Sequence, residues 1–394
     1  MSALTLLSRA ESLLAKDQWA GAHSLLVRVL PLSTDPFLKA EILQKDAEAL
    51  RALGRFREAL VGYRRAANLY RKLNIPSERL QTIFGISACL RILGRYEEAE
   101  SLWAPFERET FSRSALSEIE LERALVARGQ GHFLEARRRM GRAVLHLAQR
   151  KEWGPLQHAY WILGGLERFS GHFPEALKAF DQAVRLARRT KDLSSEAFAL
   201  CGLAGVQRVV GRDQASLANY AEAHRLLTKI GDPFGQAYGL CGRANAHRVF
   251  GDAAKTLPLY RQSAALYRRL GDASSEGFAF WGLGGSLRRL QRLPESLSAY
   301  RRALALFIKS KDDRGVVMAH LGLARWAEAG GREGDALLSA GRGLSEARRA
   351  RLPYETALAR YEIGRIRRPT RPPYALLRPF GISPAVLRRW RDIP

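Results

Sequence analysis

The sequence is poor in the residues from which catalytic and metal sites are built. Its three cysteines, Cys89, Cys201 and Cys241, are too few for a disulfide framework and form no Cys-x-x-Cys pair. The eight histidines are scattered, with no His-Glu-x-x-His pattern and no Ser/His/Asp constellation. No run of about 18 apolar residues occurs, which excludes a membrane-spanning helix. The first 22 residues carry Arg9, Glu11, Lys16 and Asp17 and so lack the uninterrupted apolar stretch of a secretory signal. These absences lead to the expectation of a cytoplasmic chain that is not an enzyme and needs no cofactor or metal. Acid is in deficit too: 39 Asp and Glu stand against 64 Lys and Arg, a formal charge of +25. Only eleven of the cations are lysine. Such a surplus attracts polyanions, acidic segments or anionic surfaces, and arginine is the better bidentate partner for carboxylate and phosphate.

What the sequence does have is a period. The segments "LRALGRFREAL", "LRILGRYEEAE", "LERFSGHFPEAL", "VQRVVGRDQASL", "AHRVFGDAAKTL" and "LRRLQRLPESL" align on the turn residues Gly54, Gly94, Gly131, Gly171, Gly211, Gly251, Gln291 and Gly331. Successive anchors lie 40 residues apart, apart from one step of 37, and Asp17 and Arg371 extend the series to ten units. Five positions after the anchor comes a small residue, and nine after it a large one such as Phe180, Tyr220, Tyr260 or Tyr300. Apolar residues recur at helical spacing on both sides of each turn, which predicts helix, turn, helix. Polar breaks such as "IGDPFG" and "SKDDRG" stop one helix and cap the next. One such hairpin cannot bury its own apolar face, so neighbours must stack.

This pattern resembles the tetratricopeptide repeat family in its long form of about 40 residues. The resemblance rests on the glycine anchors, the aromatic two positions later (Trp19, Phe56, Tyr96, Phe133, Phe173), the small residue and the second-helix aromatic, with Asp213 and Ala253 departing from the post-turn aromatic. It implies an all-α, right-handed α-solenoid of about ten helix-turn-helix units over residues 1–371, and a concave wall lined by the first helix of each unit. The small first-helix residue of the family falls at Gly164, Ala204, Ala244, Gly284 and Gly364. Residues 372–394, broken by prolines and carrying "GISPAVLRRWRD", read as a terminal cap with a short helix, Ser383 its N-cap and Pro384 its first residue. A partner-binding tail is the alternative.

Three residues before the anchors stand Arg51, Arg91, Arg128, Arg168, Arg208, Arg248 and Arg288; Glu328 interrupts the column and Arg368 resumes it. Two readings remain open for it: a ligand-facing ladder, or cations that stabilise helix C-termini or make internal ion pairs. Trp161, Cys201, Cys241 and Trp281 lie on the same stripe, one turn after His158, Phe198, Tyr238 and Phe278. Between them and the arginines come Gly165, Gly205, Asn245, Gly285 and Arg325. Gly205 and Gly285 would leave hollows for a partner backbone, and Asn245 is the one asparagine among them; Gly282 has no evident reason. Trp161 and Trp281 are expected to be exposed in the groove, whereas Phe198, Tyr238 and Phe278 fit core or groove equally. "GLGGSLRR" lacks the preceding strand of a phosphate loop.

The expected function is a non-enzymatic scaffold that holds an extended acidic or phosphorylated protein segment in a basic groove, with Arg91, Arg128, Arg168, Arg208, Arg248 and Arg288 as anion contacts. The alternatives are single-stranded RNA in the same groove, with bases stacked on aromatics, or a ligand-sensing regulatory repeat protein.

Overall fold

A computed structural model describes residues 3–16, 18–106, 113–251, 253–390 and 392–393. Asp17, the first expected anchor, lies outside them. The described residues form helices joined by turns and short irregular segments, with no strand, and fall into two compact units, 1–146 and 147–394.

The first unit contains α1 (Ala3–Leu14), α2 (Trp19–Val29), α3 (Pro36–Ala52), α4 (Phe56–Lys72), α5 (Pro76–Ile92), α6 (Tyr96–Ser101), α7 (Arg113–Gly129) and most of α8 (Phe133–Gln149). Here α6 is short. Pro105 lies where its later turns would run, and proline supplies no N–H for a helical bond. A 3₁₀ turn, Ala104–Phe106, follows instead and packs Phe106 6.4 Å from the buried Trp103. The 37-residue step in the period falls at this place.

The second unit begins with α9 (Trp153–Phe169), α10 (Phe173–Thr190), α11 (Leu193–Val209), α12 (Asp213–Lys229), α13 (Pro233–Phe250) and α14 (Thr256–Leu270). It continues with α15 (Ala273–Arg289), α16 (Leu293–Ser310), α17 (Asp313–Ala329), α18 (Glu333–Arg349), α19 (Pro353–Arg367) and α20 (Pro384–Arg389). Each first helix from α9 to α17 packs on its own second helix and on the next first helix along the chain. The first helices α9, α11, α13, α15, α17 and α19 touch in succession, more closely than the second helices do, and so form the inner wall of this unit.

Turn chemistry follows the sequence closely. Gly54, Gly94, Gly131, Gly171, Gly211, Gln291 and Gly331 all adopt positive φ, between 60° and 79°. Gly251 does not: its φ is −127°, and the Arg289 guanidinium donates to the carbonyls of Arg248 and Gly251 at this turn, where Ala253 stands in place of an aromatic. Between pairs, Asp192, Asp232, Asp272 and Asp312 each accept from a backbone N–H three residues on. Asp272→Ala is expected to lower unfolding free energy by about 1 kcal/mol, read from the denaturant midpoint.

The second-helix aromatics are the rivets of the stack. Phe180, Tyr220, Tyr260 and Tyr300 are buried. Each points at a glycine column, Gly202, Gly242, Gly282 and Gly322, on the first helix of the following pair, where a Cβ would overlap the ring. Gly282 therefore exists to admit Tyr260. Phe180 and Tyr300 also press on their own first helices, where a Cβ on Gly164 or Gly284 would come within 2.9 Å of the ring.

Residues 372–393 do more than cover the last pair. Two 3₁₀ turns, Tyr374–Leu376 and Arg378–Phe380, lead into α20, which Ser383 caps by accepting from the Val386 N–H. Phe380 packs on the Gly171 turn, Val386 on the Gly211 turn, and Arg389 pairs with Asp213 at 2.6 Å. Tyr354 bridges Phe173 and Phe380, with ring centroids 5.1 and 5.5 Å away. The segment thus reaches back to α10 and α12, and Leu377, Ile382, Leu387 and Ile393 are buried with it. Asp213 stands where other units of this chain carry an aromatic and supplies a carboxylate to this segment instead.

Candidate functional site

The inner wall of the second unit divides the arginine column into two parts. Arg168 and Arg208, from the last turns of α9 and α11, line a pocket of about 300 Å³ with Tyr220, Tyr238, Asn245 and Phe278. Arg168 lies 5.3 Å from the Phe169 ring, and its Nη1 occupies the space that a side chain at Gly205 would restrict. The Nε and Nη1 of Arg208 are buried without a hydrogen-bond partner. Neither guanidinium has a carboxylate partner among the described residues. Arg314, also on the pocket wall, is instead tied to Glu355 at 2.7 Å. Both residues are half-buried, and an unpaired cation partly withdrawn from water would gain from an arriving anion.

Arg248 and Arg288 differ from the expectation of an open ladder. The Arg248 side chain is 1% exposed: its Nε donates to the Tyr260 hydroxyl at 3.1 Å, its Nη2 to Asn245 Oδ1 at 3.1 Å, and it lies 4.4 Å over the Trp281 ring. Its Nη1 is 2.9 Å from Oδ2 of Asp392, and Nη2 of Arg288 is 2.9 Å from Oδ1. Arg325 donates to the same carboxylate at 3.2 Å and to Glu362 at 2.7 Å. Glu328, the break in the column, pairs with Arg365. Burial alone would raise the Asp392 pKa, but the charges of Arg288, Arg248 and Arg325 pull it well below the usual carboxylate range. A depressed folded value makes this stabilisation present above the unfolded carboxylate pKa of about 4, and lost only as pH falls through the depressed value.

The other predicted residues take varied places. Gly285 gives access to the chain itself, since a Cβ there would sit 2.5 Å from Asp392 Oδ2. Trp281, expected to be exposed, is 5% exposed and donates from Nε1 to the Met318 carbonyl at 2.7 Å. Trp161 is 39% exposed and stacks on His158. Phe198 and Tyr238 flank Phe234, and Phe278 packs edge-on to Phe307 at 4.7 Å. Asn245 orients Arg248 and Tyr260 and makes no open clamp. In the first unit, Arg91 is paired with Glu122 at 2.7 Å, and Arg128 has its pKa lowered by burial and by the charge of Arg91. The sequence reading missed Arg325 and Asp392 as members of the site. Arg325 carries a signal, the stripe position of Gly285 one repeat on; Asp392 lies outside the repeat and has none.

All three thiols are buried, and burial raises their pKa values, that of Cys241 to about 11. Iodoacetamide near neutral pH is expected to leave the native chain unlabelled and to modify all three cysteines in denaturant.

The fold and this wall define a tetratricopeptide-like α-solenoid. Solved structures with the same fold include a Rap protein complexed with competence and sporulation factor (TM-score 0.54, 12% identity, 93% of this chain and 98% of that one). The apo form of RapI (TM-score 0.55, 9% identity, 84% and 97%) and aspartyl phosphate phosphatase F from Bacillus subtilis (TM-score 0.53, 10% identity, 89% and 92%) share it as well. No protein-family model matches the sequence, and no curated protein does. No helix among the described residues is long and apolar enough to cross a membrane.

Proposed function

We propose that the second unit is a non-enzymatic adaptor that captures an extended acidic or phosphorylated segment of a partner protein, with Arg168 and Arg208 gripping the anion and Tyr238 and Phe278 walling its path. The observation that carries this reading is the pair of guanidinium groups without carboxylate partners on a pocket of about 300 Å³. A charge-assisted contact to a carboxylate or phosphate would satisfy what the protein itself leaves unsatisfied. The complex of a Rap protein with competence and sporulation factor supports ligand capture by this fold. One chain of the same fold is named a phosphatase, so the fold alone does not separate binding from catalysis, and it is the pocket with its two arginines that supports capture.

Fluorescence anisotropy tests the reading with a labelled Glu-rich peptide, its phosphoserine version, its Gln counterpart and a single-stranded RNA, each at two salt concentrations. Saturable binding of the two anionic peptides and loss of binding for the Gln peptide are expected. Equal affinity for the acidic and amide peptides would overturn it, and tighter RNA binding with a steep salt slope would assign the groove to nucleic acid.

A further inference from the structure

Three arginines from three successive first helices, α13, α15 and α17, meet on one carboxylate that arrives from outside the repeat. The receiving side is built without that carboxylate: Tyr260, Asn245 and Trp281 hold Arg248 in place, and Glu362 holds Arg325. Gly285 keeps the approach open. Asp392 is the one carboxylate paired with Arg248 or Arg288 among the described contacts, so its departure would leave two guanidinium groups in want of an anion. The residue after it matters too. Ile393 is 1% exposed within the apolar cluster that includes Trp281 and Leu321.

We propose that the Arg248–Arg288–Arg325 cluster is a carboxylate receptor for a partner segment in which Asp or Glu precedes a branched apolar residue, and that Asp392–Ile393 is its intramolecular occupant and competitor. This rests on the reading of the inner wall as an acidic-segment groove, and names the partner's recognition pattern and what occupies the Arg248–Arg288–Arg325 part of that wall. The occupant's fit is imperfect in a way that suits exchange. Nε of Arg288 and Nε1 of Trp390 are buried without hydrogen-bond partners, and Arg288 Nη2 is close to Asp392 but poorly aligned for a hydrogen bond. The tethering pair Arg389–Asp213 is partly exposed, at 52% and 32%, where an ion pair adds little. A free segment with the same Asp-Ile pattern would make the same contacts, and its length could improve on them.

The test uses the full chain, its Asp392→Asn variant and two labelled peptides: residues 383–393 of this sequence, and the same peptide with its Asp changed to Asn. The variant is expected to bind the Asp peptide at least tenfold more tightly than the unmodified chain does, and neither chain is expected to hold the Asn peptide. Hydrogen exchange on the unmodified chain gives a second readout that needs no altered fold: saturating Asp peptide is expected to speed exchange across 384–393. Equal affinity of both chains, or exchange unchanged by the peptide, overturns the proposal. If that happens while Glu-rich peptide binding still depends on Arg168 and Arg208, the competitor fails and the adaptor reading stands.

Discussion

Gly282→Ala is expected to destabilise the second unit by about 2–3 kcal/mol, although alanine is the better helix former by about 1 kcal/mol. The added methyl would enter the ring of Tyr260, which is 0% exposed and cannot swing away without releasing its hydroxyl contacts to Arg248 and Asn245. Gly165 is the control, because nothing lies within 4 Å of a Cβ built there. Gly165→Ala is therefore expected to stabilise the chain by about 0.5–1 kcal/mol. Chemical denaturation of both variants checks the pair. Equal effects in the two would remove the aromatic-into-glycine contact as the reason the inner helices carry so much glycine.

The double change Arg168→Gln and Arg208→Gln is expected to weaken acidic-peptide binding by at least about 100-fold. Each lost charge-assisted contact is worth roughly 1.5–3 kcal/mol, about one to two powers of ten in affinity. Stability should move the other way or not at all. Two nitrogens of Arg208 are buried without partners, so neutralising that group removes an uncompensated charge. Both side chains sit in the last turns of their helices, where a cation can also offset the helix dipole by about 0.3–1 kcal/mol. A melting temperature that falls by many degrees, with peptide affinity unchanged, would assign them to that role.

The period made the fold legible because each local preference agreed with the global one. A positive φ at the anchor, an Asp cap after the break and an aromatic at a fixed offset all recur with the same register. Even the Gly202, Gly242, Gly282, Gly322 column is visible at the 40-residue spacing, once the aromatic of the preceding pair is known to need it. The site was legible only in part. A column of arginines gives position on a helix but not what each guanidinium meets, and four equivalent residues divide here into two without carboxylate partners and two held by Asp392. That division comes from residues beyond the last repeat, where no periodicity constrains the reading. Trp281 shows the same limit: its stripe position suggested exposure, while Arg248 and the Met318 carbonyl enclose it.

The most direct measurement is photo-crosslinking of an acidic peptide that carries a benzophenone side chain next to its anionic residue, followed by peptide mapping. Capture at Arg168 and Arg208 predicts crosslinks to the inner helices around Tyr238 and Phe278, abolished by the double Gln change. Crosslinks on the second helices away from the pocket residues Tyr220 and Tyr267, or in residues 1–146, would contradict it.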